Sequence, residues 1–504
     1  MRQTTDSTRR DVVIVGGGPT GVAAFRALAA QGGVDSITIL DPIPIGFGNV
    51  FGERCAGDPI LLCNSSNGLT WIDSENHDDF LNFLVERGWP VGRDDHVPRF
   101  LIGEYCRQRY LEFSRKAEAA GIRVEHIQER AVAIHRFEHV YDVALGNGRR
   151  LAASHVLLCT GMEVPKIPPI LRDHADNPRF LPGAFPARDL RELLPGSRVL
   201  VIGLRSSAQD AMIVLVRAGH SVTMTSPSGR FSAIRDVFRK PEQRVIEREK
   251  FRELDPISPD FVASVTALVQ EALAKASAGL SFDRQSTREI DPIRRLRAEF
   301  ALTTEGRTRW ADLLFDVINT INDVVSPWDA DTRARLLPKA YSVLTRYISS
   351  LPHYSGQRLI QEIDAGKVSV SPVYLDSVAA DDDGWLVVWA NGRTERFDYI
   401  VSTSGYHFPR FYLQDRDTLL ISHAGARAGE ETADIDGDLR LHFGAAEPPE
   451  RIWALGAATN QRFPFAHLLW LAAQHARHVA AQVVEERANG VLEFPNATGR
   501  KAGS

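Results

Sequence analysis

Residues Asp11–Asp41 read DVVIVGGGPTGVAAFRALAAQGGVDSITILD. The apolar run Val12–Val15 has the pattern of a buried strand, a Gly-rich turn follows it, a helix of small residues comes next, and a second apolar strand, Ile37–Leu40, ends at Asp41. This is one βαβ unit. Gly16-Gly17-Gly18-Pro19-Thr20-Gly21 satisfies G-x-G-x-x-G between strand and helix, and Asp41 stands twenty residues beyond Gly21. Gly16 permits the tight turn, Gly18 lets backbone approach a pyrophosphate, and Gly21 lets helix and strand pack closely. The helix N-terminus, where Thr20 lies, offers N–H groups to phosphates. Asp41 is placed to accept hydrogen bonds from an adenosine ribose.

A second unit of the same build begins at Arg198: RVLVIGLRSSAQDAMIVLVRAGHSVTMTSPSGR. Two copies imply two nucleotide-binding lobes rather than a short solenoid repeat. The second copy departs from the pattern in its turn. Gly203-Leu204-Arg205-Ser206-Ser207-Ala208 carries Arg205 where the second glycine belongs, so its guanidinium either blocks backbone approach to a pyrophosphate or binds a phosphate itself. After the second strand, Ser226 and Ser228 occupy the place where an NAD-specific site puts an acid, and Arg230 and Arg235 follow. Donors without a carboxylate suit a 2′-phosphate, hence NADPH.

The chain has 504 residues, enough for two or three domains, with 44% apolar and 24% charged residues. A formal charge of −5 supplies no global basic field for nucleic acid or anionic membrane. No apolar run is long enough to span a bilayer and MRQTTDSTRR holds no apolar signal segment, which makes the cytoplasm the expected location. Four scattered cysteines, Cys55, Cys63, Cys106 and Cys159, form no C-x-x-C pair to take electrons from a flavin. The fifteen histidines show no metal-ligand spacing, and no metal is expected.

From about 236 to 354 the periodicity is helical, as in FVASVTALVQEALAKA and WADLLFDVINTIN. This reads as a helical insertion that packs, mediates homo-oligomerisation or walls a substrate pocket. Val387–Trp389 and the turn Asn391-Gly392 predict a hairpin. Short strands end in small-residue turns at HVLLCTG, closing on Gly161, and at RIWALG, closing on Gly456. A long helix is expected over Phe465–Val484, its dipole aimed at a cofactor.

Asp398-Tyr399-Ile400-Val401-Ser402-Thr403-Ser404-Gly405-Tyr406 resembles the D-x-x-x-(L/F)-A-T-G-Y signature of the N-hydroxylating flavoprotein monooxygenases, the class of ornithine and lysine N-hydroxylases; Ser402 and Ser404 depart from it. Asp58-Pro59-Ile60-Leu61-Leu62-Cys63-Asn64, Pro98-Arg99-Phe100 with Gly103 and Tyr105, and Ser226-Pro227-Ser228-Gly229-Arg230 are similar to bacterial FAD/NAD(P)-binding proteins that include aspartate N-hydroxylases. The resemblance runs in order over about residues 10–480. It implies an α/β fold of two Rossmann-like lobes, with FAD-binding segments at 10–190 and 406–490 and an inserted NADPH lobe at 191–405 that carries the helical insertion. It also implies the chemistry: NADPH reduces FAD, O₂ adds to give a C4a-hydroperoxide, and a neutral amine of a small amino acid-like substrate attacks the distal oxygen.

Asn64 and Ser65 follow a run that the family places beside the isoalloxazine, and are candidate flavin or substrate contacts. Arg99 and Arg462 are candidates for a bidentate grip on a substrate carboxylate. The cofactor set comprises the glycines named above with Thr20, Asp41, Asn64, Gly161, Arg205, Ser206, Ser207, Arg230, Gly405, Tyr406 and Phe465. His407 and His467 read as structural. Oxygenation of another atom, by Baeyer–Villiger or S-oxygenating chemistry, and a flavin-binding sensor without turnover both remain compatible with the residues.

Overall fold

A computed structural model describes residues 9–52, 60–137, 140–277, 279–424, 429–444 and 447–485; Asp58, Pro59 and Cys55 lie outside them. Two parallel five-stranded sheets organise the chain. The first has the order Ile452–Ala454, His155–Leu158, Asp11–Val15, Ser36–Leu40, Arg123–Ile127. The second has the order Phe180–Leu181, Tyr399–Ser402, Arg198–Ile202, Ser221–Thr225, Val368–Val370. The two sheets are built on one plan: the strand of each Gly-rich turn sits centrally, flanked by the second strand of its βαβ unit and by a strand from much later in the chain. Both central strands are apolar and buried on both faces, as sheets covered by helices on each side require.

Each lobe adds an antiparallel layer. In the first, Arg410–Asp415, Thr418–Ser422, Ala131–Phe137, Val140–Leu145 and Arg150–Ala153 form a five-stranded sheet. In the second, Leu375–Asp381, Gly384–Trp389 and Thr394–Phe397 form a meander whose last turn contains the expected Asn391-Gly392, with Gly392 at φ 80°. The chain therefore leaves the first lobe, builds the second and returns: two Rossmann-like lobes, one inserted in the other. The short strand Phe180–Leu181 already belongs to the second sheet, although it precedes residue 190.

The helical insertion comprises Arg248–Arg252, Phe261–Ala276, Pro292–Thr304, Leu314–Val325 and Ala330–Ile348. It docks on the core through Trp310, Phe315 and Ile318, which share a cluster with Trp71, Phe238, Phe465 and Trp470. Ile234–Arg235 pairs with Leu351–Pro352 where the insertion leaves and rejoins the lobe. The C-terminal helix spans Leu469–Glu485 and packs on the helix Pro19–Gln31. It starts four residues later than the sequence suggests. Pro464 has no N–H to offer, and Phe465 is buried in the core, stacked on Tyr341 at 6.2 Å. Phe465 is thus a packing residue of the approach to the helix, not its first turn. Among the described residues no helix is long and apolar enough to cross a membrane.

Candidate functional site

Three turns from distant parts of the chain meet at the carboxyl edge of the first sheet. Gly16, at φ 104°, lies so close to the HVLLCTG turn that a Cβ there would be 2.6 Å from the Cys159 carbonyl oxygen. A Cβ on Gly21 would stand 1.9 Å from Gly16 O, so helix and strand touch backbone to backbone. Gly456, at φ 63°, abuts Thr20; a Cβ there would be 2.6 Å from the threonine hydroxyl. Gly18 differs from these. Its nearest neighbour for a Cβ is Gly48 Cα at 3.6 Å, an ordinary contact, so the space in front of Gly18 is not required by the fold.

The polar groups around that space suit an adenine dinucleotide. Asp41 is buried, and its two carboxylate oxygens accept from the Gly17 N–H at 2.6 Å and the Ile43 N–H at 2.9 Å. Burial raises its pKa above the ordinary carboxylate value despite these two donors. Further donors, such as ribose hydroxyls, would favour its charged form. Thr160 is buried, and its hydroxyl has no partner among the described residues, one residue past the turn that touches Gly16. An orphaned hydroxyl beside a Gly-rich turn fits a ligand's polar atoms.

The second unit repeats the convergence. A Cβ on Gly203, at φ 144°, would be 1.9 Å from the Thr403 hydroxyl, so the D-Y-I-V-S-T-S-G-Y strand end packs on the second Gly-rich turn as Cys159 packs on Gly16. Gly405 and Tyr406 then enter the return linker. The Lys166 N–H donates to the Gly405 carbonyl at 2.8 Å, the His407 N–H donates to Val164 O at 2.9 Å, and Pro165 bridges Tyr406. The outgoing and returning linkers run side by side between the lobes, and Gly161, on the outgoing one, is exposed.

A cleft between the lobes brings several candidate residues together. Asn64 and Arg99 from the first lobe face Ser206, Gln209 and Asp210 of the helix Ser206–Arg217, with Tyr354 at one side. Residues 206, 209, 210 and 213 share one helical face, which explains how the second nucleotide motif looks onto the first lobe. The Gln209 side-chain nitrogen is buried there without a partner among the described residues.

Three arginines sit differently from expectation. Arg99 is in the cleft, but its guanidinium is taken by Asp210, with bonds of 2.8 and 3.3 Å, and by Leu62 O at 3.3 Å. It ties the lobes together and is not a free fork for a carboxylate. Arg462 lies elsewhere, bonded to Ile435 O at 2.8 Å and near Arg333, and does not line this cleft. Arg235 does not join Arg230 in the loop after the second strand. The strand pairing of Ile234–Arg235 with Leu351–Pro352 turns it inward, where it is 1% exposed and donates to the Asn64 carbonyl oxygen. Its Nε and Nη1 have no partner among the described residues, and burial pushes its pKa down to about 10. Tyr354 and His96 both bond Cys63 O at 2.9 Å beside it, and burial together with the Arg235 charge holds His96 at about 4. Arg235 touches the cleft through Asn64 and is not itself among the lining residues: it is a buried, still charged guanidinium with spare donors. The sequence signal for it was its neighbourhood: a charged residue directly after the apolar pair Ala233-Ile234.

Comparison with known proteins agrees with this architecture. Residues 13–163 match the FAD-NAD(P)-binding family. No curated protein matches the sequence. Among solved structures, ornithine hydroxylase from Pseudomonas aeruginosa is similar at 15% identity and a TM-score of 0.59, over 94% of this chain and 99% of that one. Ornithine N-hydroxylase from Kutzneria sp. 744, solved with reduced FAD, NADP⁺ and L-ornithine, gives 14% and 0.58 over 95% and 100%. The FAD-bound cadaverine monooxygenase of desferrioxamine biosynthesis from Erwinia amylovora gives 12% and 0.57 over 98% and 99%. Residues 13–163 match an FAD-NAD(P)-binding domain, and over nearly its whole length the chain shares the fold of these ornithine hydroxylases and the cadaverine monooxygenase.

Proposed function

We propose that the protein is an FAD-dependent, NADPH-using monooxygenase that hydroxylates the amine nitrogen of a small amino acid-like substrate. The observation that carries this reading is the meeting of the Gly16, Cys159 and Gly456 turns around Thr160 and Asp41, facing a second Gly-rich unit across a cleft. FAD would supply the oxygen-activating centre and NADPH the reducing equivalents; Gly18, Thr160 and Asp41 would hold the first, and Gly203, Ser206, Ser207 and Arg230 the second. Gly405, Tyr406 and Gly161 lie on the linkers that run between the two lobes. The described cysteines Cys63, Cys106 and Cys159 are buried and not disulfide-bonded, and burial raises their thiol pKa values, which suits packing rather than dithiol redox chemistry.

The chain's own task is then to position and to exclude water. Arg235 would hold the acidic end of the substrate, with Asn64 fixed beside it by the Arg235 bond to its carbonyl oxygen. The apolar wall of Trp71, Phe238 and Trp470 shields that region from solvent. No paired carboxylates are needed, because the nucleophile is a neutral amine. For a side-chain amine with reference pKa near 10.4, neutrality at pH 7 costs about 4–5 kcal/mol, so coupling of reductant to product should improve as pH rises. The reading is tested by anaerobic mixing of the yellow protein with NADPH or NADH. Bleaching of the flavin, faster with NADPH, supports it; flavin that neither nucleotide reduces refutes it.

A further inference from the structure

The helical insertion brings charge to the second nucleotide motif. Arg205 at the N-cap of the helix Ser206–Arg217 reaches Thr345 in the insertion helix Ala330–Ile348, and Ser206 Oγ donates to Ser349 O at 3.5 Å, at the end of the same helix. The residue after Thr345, Arg346, pairs with Glu299 of the helix Pro292–Thr304. One turn before Glu299, on the same face, stands Arg295, half-buried, close enough to Arg346 and to Arg230 for their charges to act on it. Its Nε is buried without a partner, and neither Arg295 nor Arg230 is ion-paired among the described residues.

Arg346 thus stands near both Arg205 and Arg295, and Arg295 near Arg230, at one end of the second βαβ unit, while Glu299 is committed to Arg346. Like charges at short range disfavour one another unless an anion joins them. Two of the four, Arg295 and Arg346, come from a segment outside both βαβ units.

We infer that the insertion completes an anion site at the second nucleotide motif, in which Arg295 acts with Arg230 and Arg205 as a clamp on a phosphate group of a dinucleotide. The inference rests on the proposal that this lobe binds NADPH. A phosphate there has two sources, the 2′-phosphate and the diphosphate. Arg346, held by Glu299, positions the clamp and sets its field. A role of this kind also explains the arginine in place of glycine at 205: the side chain lies along the insertion, bonded to Thr345, and contributes charge where the usual motif contributes only backbone.

The test is calorimetric titration of the flavin-loaded protein with 2′,5′-ADP and with ADP, for wild type, Arg295→Ala and Arg295→Lys. Loss of a charged hydrogen bond should weaken binding about tenfold or more in Arg295→Ala, with partial recovery in Arg295→Lys. Weakening of 2′,5′-ADP alone assigns the clamp to the 2′-phosphate; weakening of ADP, with 2′,5′-ADP affected no more than through its 5′-phosphate, assigns it to the diphosphate. Unchanged affinity for both in a variant that melts like wild type overturns the inference, as does a wild-type protein that binds neither. If the wild-type flavin is reduced by NADPH while Arg295→Ala binds normally, the insertion has no such role and the monooxygenase reading stands. Should Arg295→Ala melt early, Arg295→Gln, which keeps most of the side chain's length without its charge, provides the same comparison and must show the same loss.

Discussion

At the scale of single residues, the glycines of the first motif separate into those the fold needs and one that a ligand needs. Gly21 cannot take a side chain, since its Cβ would overlap Gly16 O at 1.9 Å, whereas Gly18 can, with φ −68° and ordinary space around it. Gly18→Val should therefore purify folded but colourless, and Gly21→Ala should melt early whatever flavin it retains; melting curves and flavin absorbance on both variants distinguish the roles. A flavin-loaded Gly18→Val would mean that the pyrophosphate lies elsewhere. Arg235 gives the opposite pairing of stability and function. A buried guanidinium with two nitrogens unpartnered among the described residues is costly to the ligand-free fold, and an apolar side chain of similar length relieves that cost. Arg235→Met should melt no lower than wild type and raise the KM for an acidic amine about tenfold or more. A lower melting temperature with unchanged KM would make Arg235 purely structural. The tight packing at Gly16 and Gly21 was readable because each answers to a local backbone demand. Arg235 and Arg99 were misread because their partners, Asn64 and Asp210, lie 171 and 111 residues away, beyond any local pattern.

Among elements, the helix Phe100–Ala119 and the helix Ser206–Arg217 are joined across the lobes by Arg99 and Asp210, whose side chains are 11% and 14% exposed. Removing one partner strands the other in a largely dry contact, at a cost of roughly 3–5 kcal/mol. Arg99→Ala should thus lower the denaturation midpoint strongly, and the pair Arg99→Met with Asp210→Leu should recover much of the loss. A double variant no better than the single would show that the pair is not an energetic unit. The strands and helices themselves were legible: Val12–Val15, Ile37–Leu40 and the hairpin at Asn391-Gly392 appear where their periodicity and turn residues put them. The C-terminal helix was placed too early because the apolar run continues through Phe465 and Ala466, while Pro464 and core packing keep that segment out of the helix. Which helices of the insertion would face the nucleotide motif was not legible, since amphipathic periodicity fixes a face but not its partner.

On the scale of the whole molecule, acid should unfold the protein through three half-buried histidines. His96, His467 and His475 are each held near 4 by burial, against 6.5 when exposed. Between those values the unfolded chain binds protons that the folded chain refuses, so stability is lost as pH falls from about 6.5 toward 4 and is level above that window. Melting temperatures across pH 4–8 should follow this course, with a shallower slope in His475→Phe, which keeps the packing against Phe463 without the titrating group. A slope unchanged by that substitution would place the titration on other groups.

The two lobes, the cleft between them and the buried Arg235 together make one claim, that reductant consumed at one nucleotide motif drives transfer of one atom of O₂ to an amine held near the other, the second atom leaving as water. The direct measurement is NADPH consumption by the flavin-loaded protein in air, against a panel of acidic amino acids, basic amino acids and diamines, with hydrogen peroxide release and product mass followed in the same samples. The account predicts that at least one small amino acid gains a single oxygen on nitrogen, with NADPH consumed in step with product and little peroxide. NADPH oxidation that yields only peroxide across the whole panel, or oxygen found on carbon or sulfur, would contradict it.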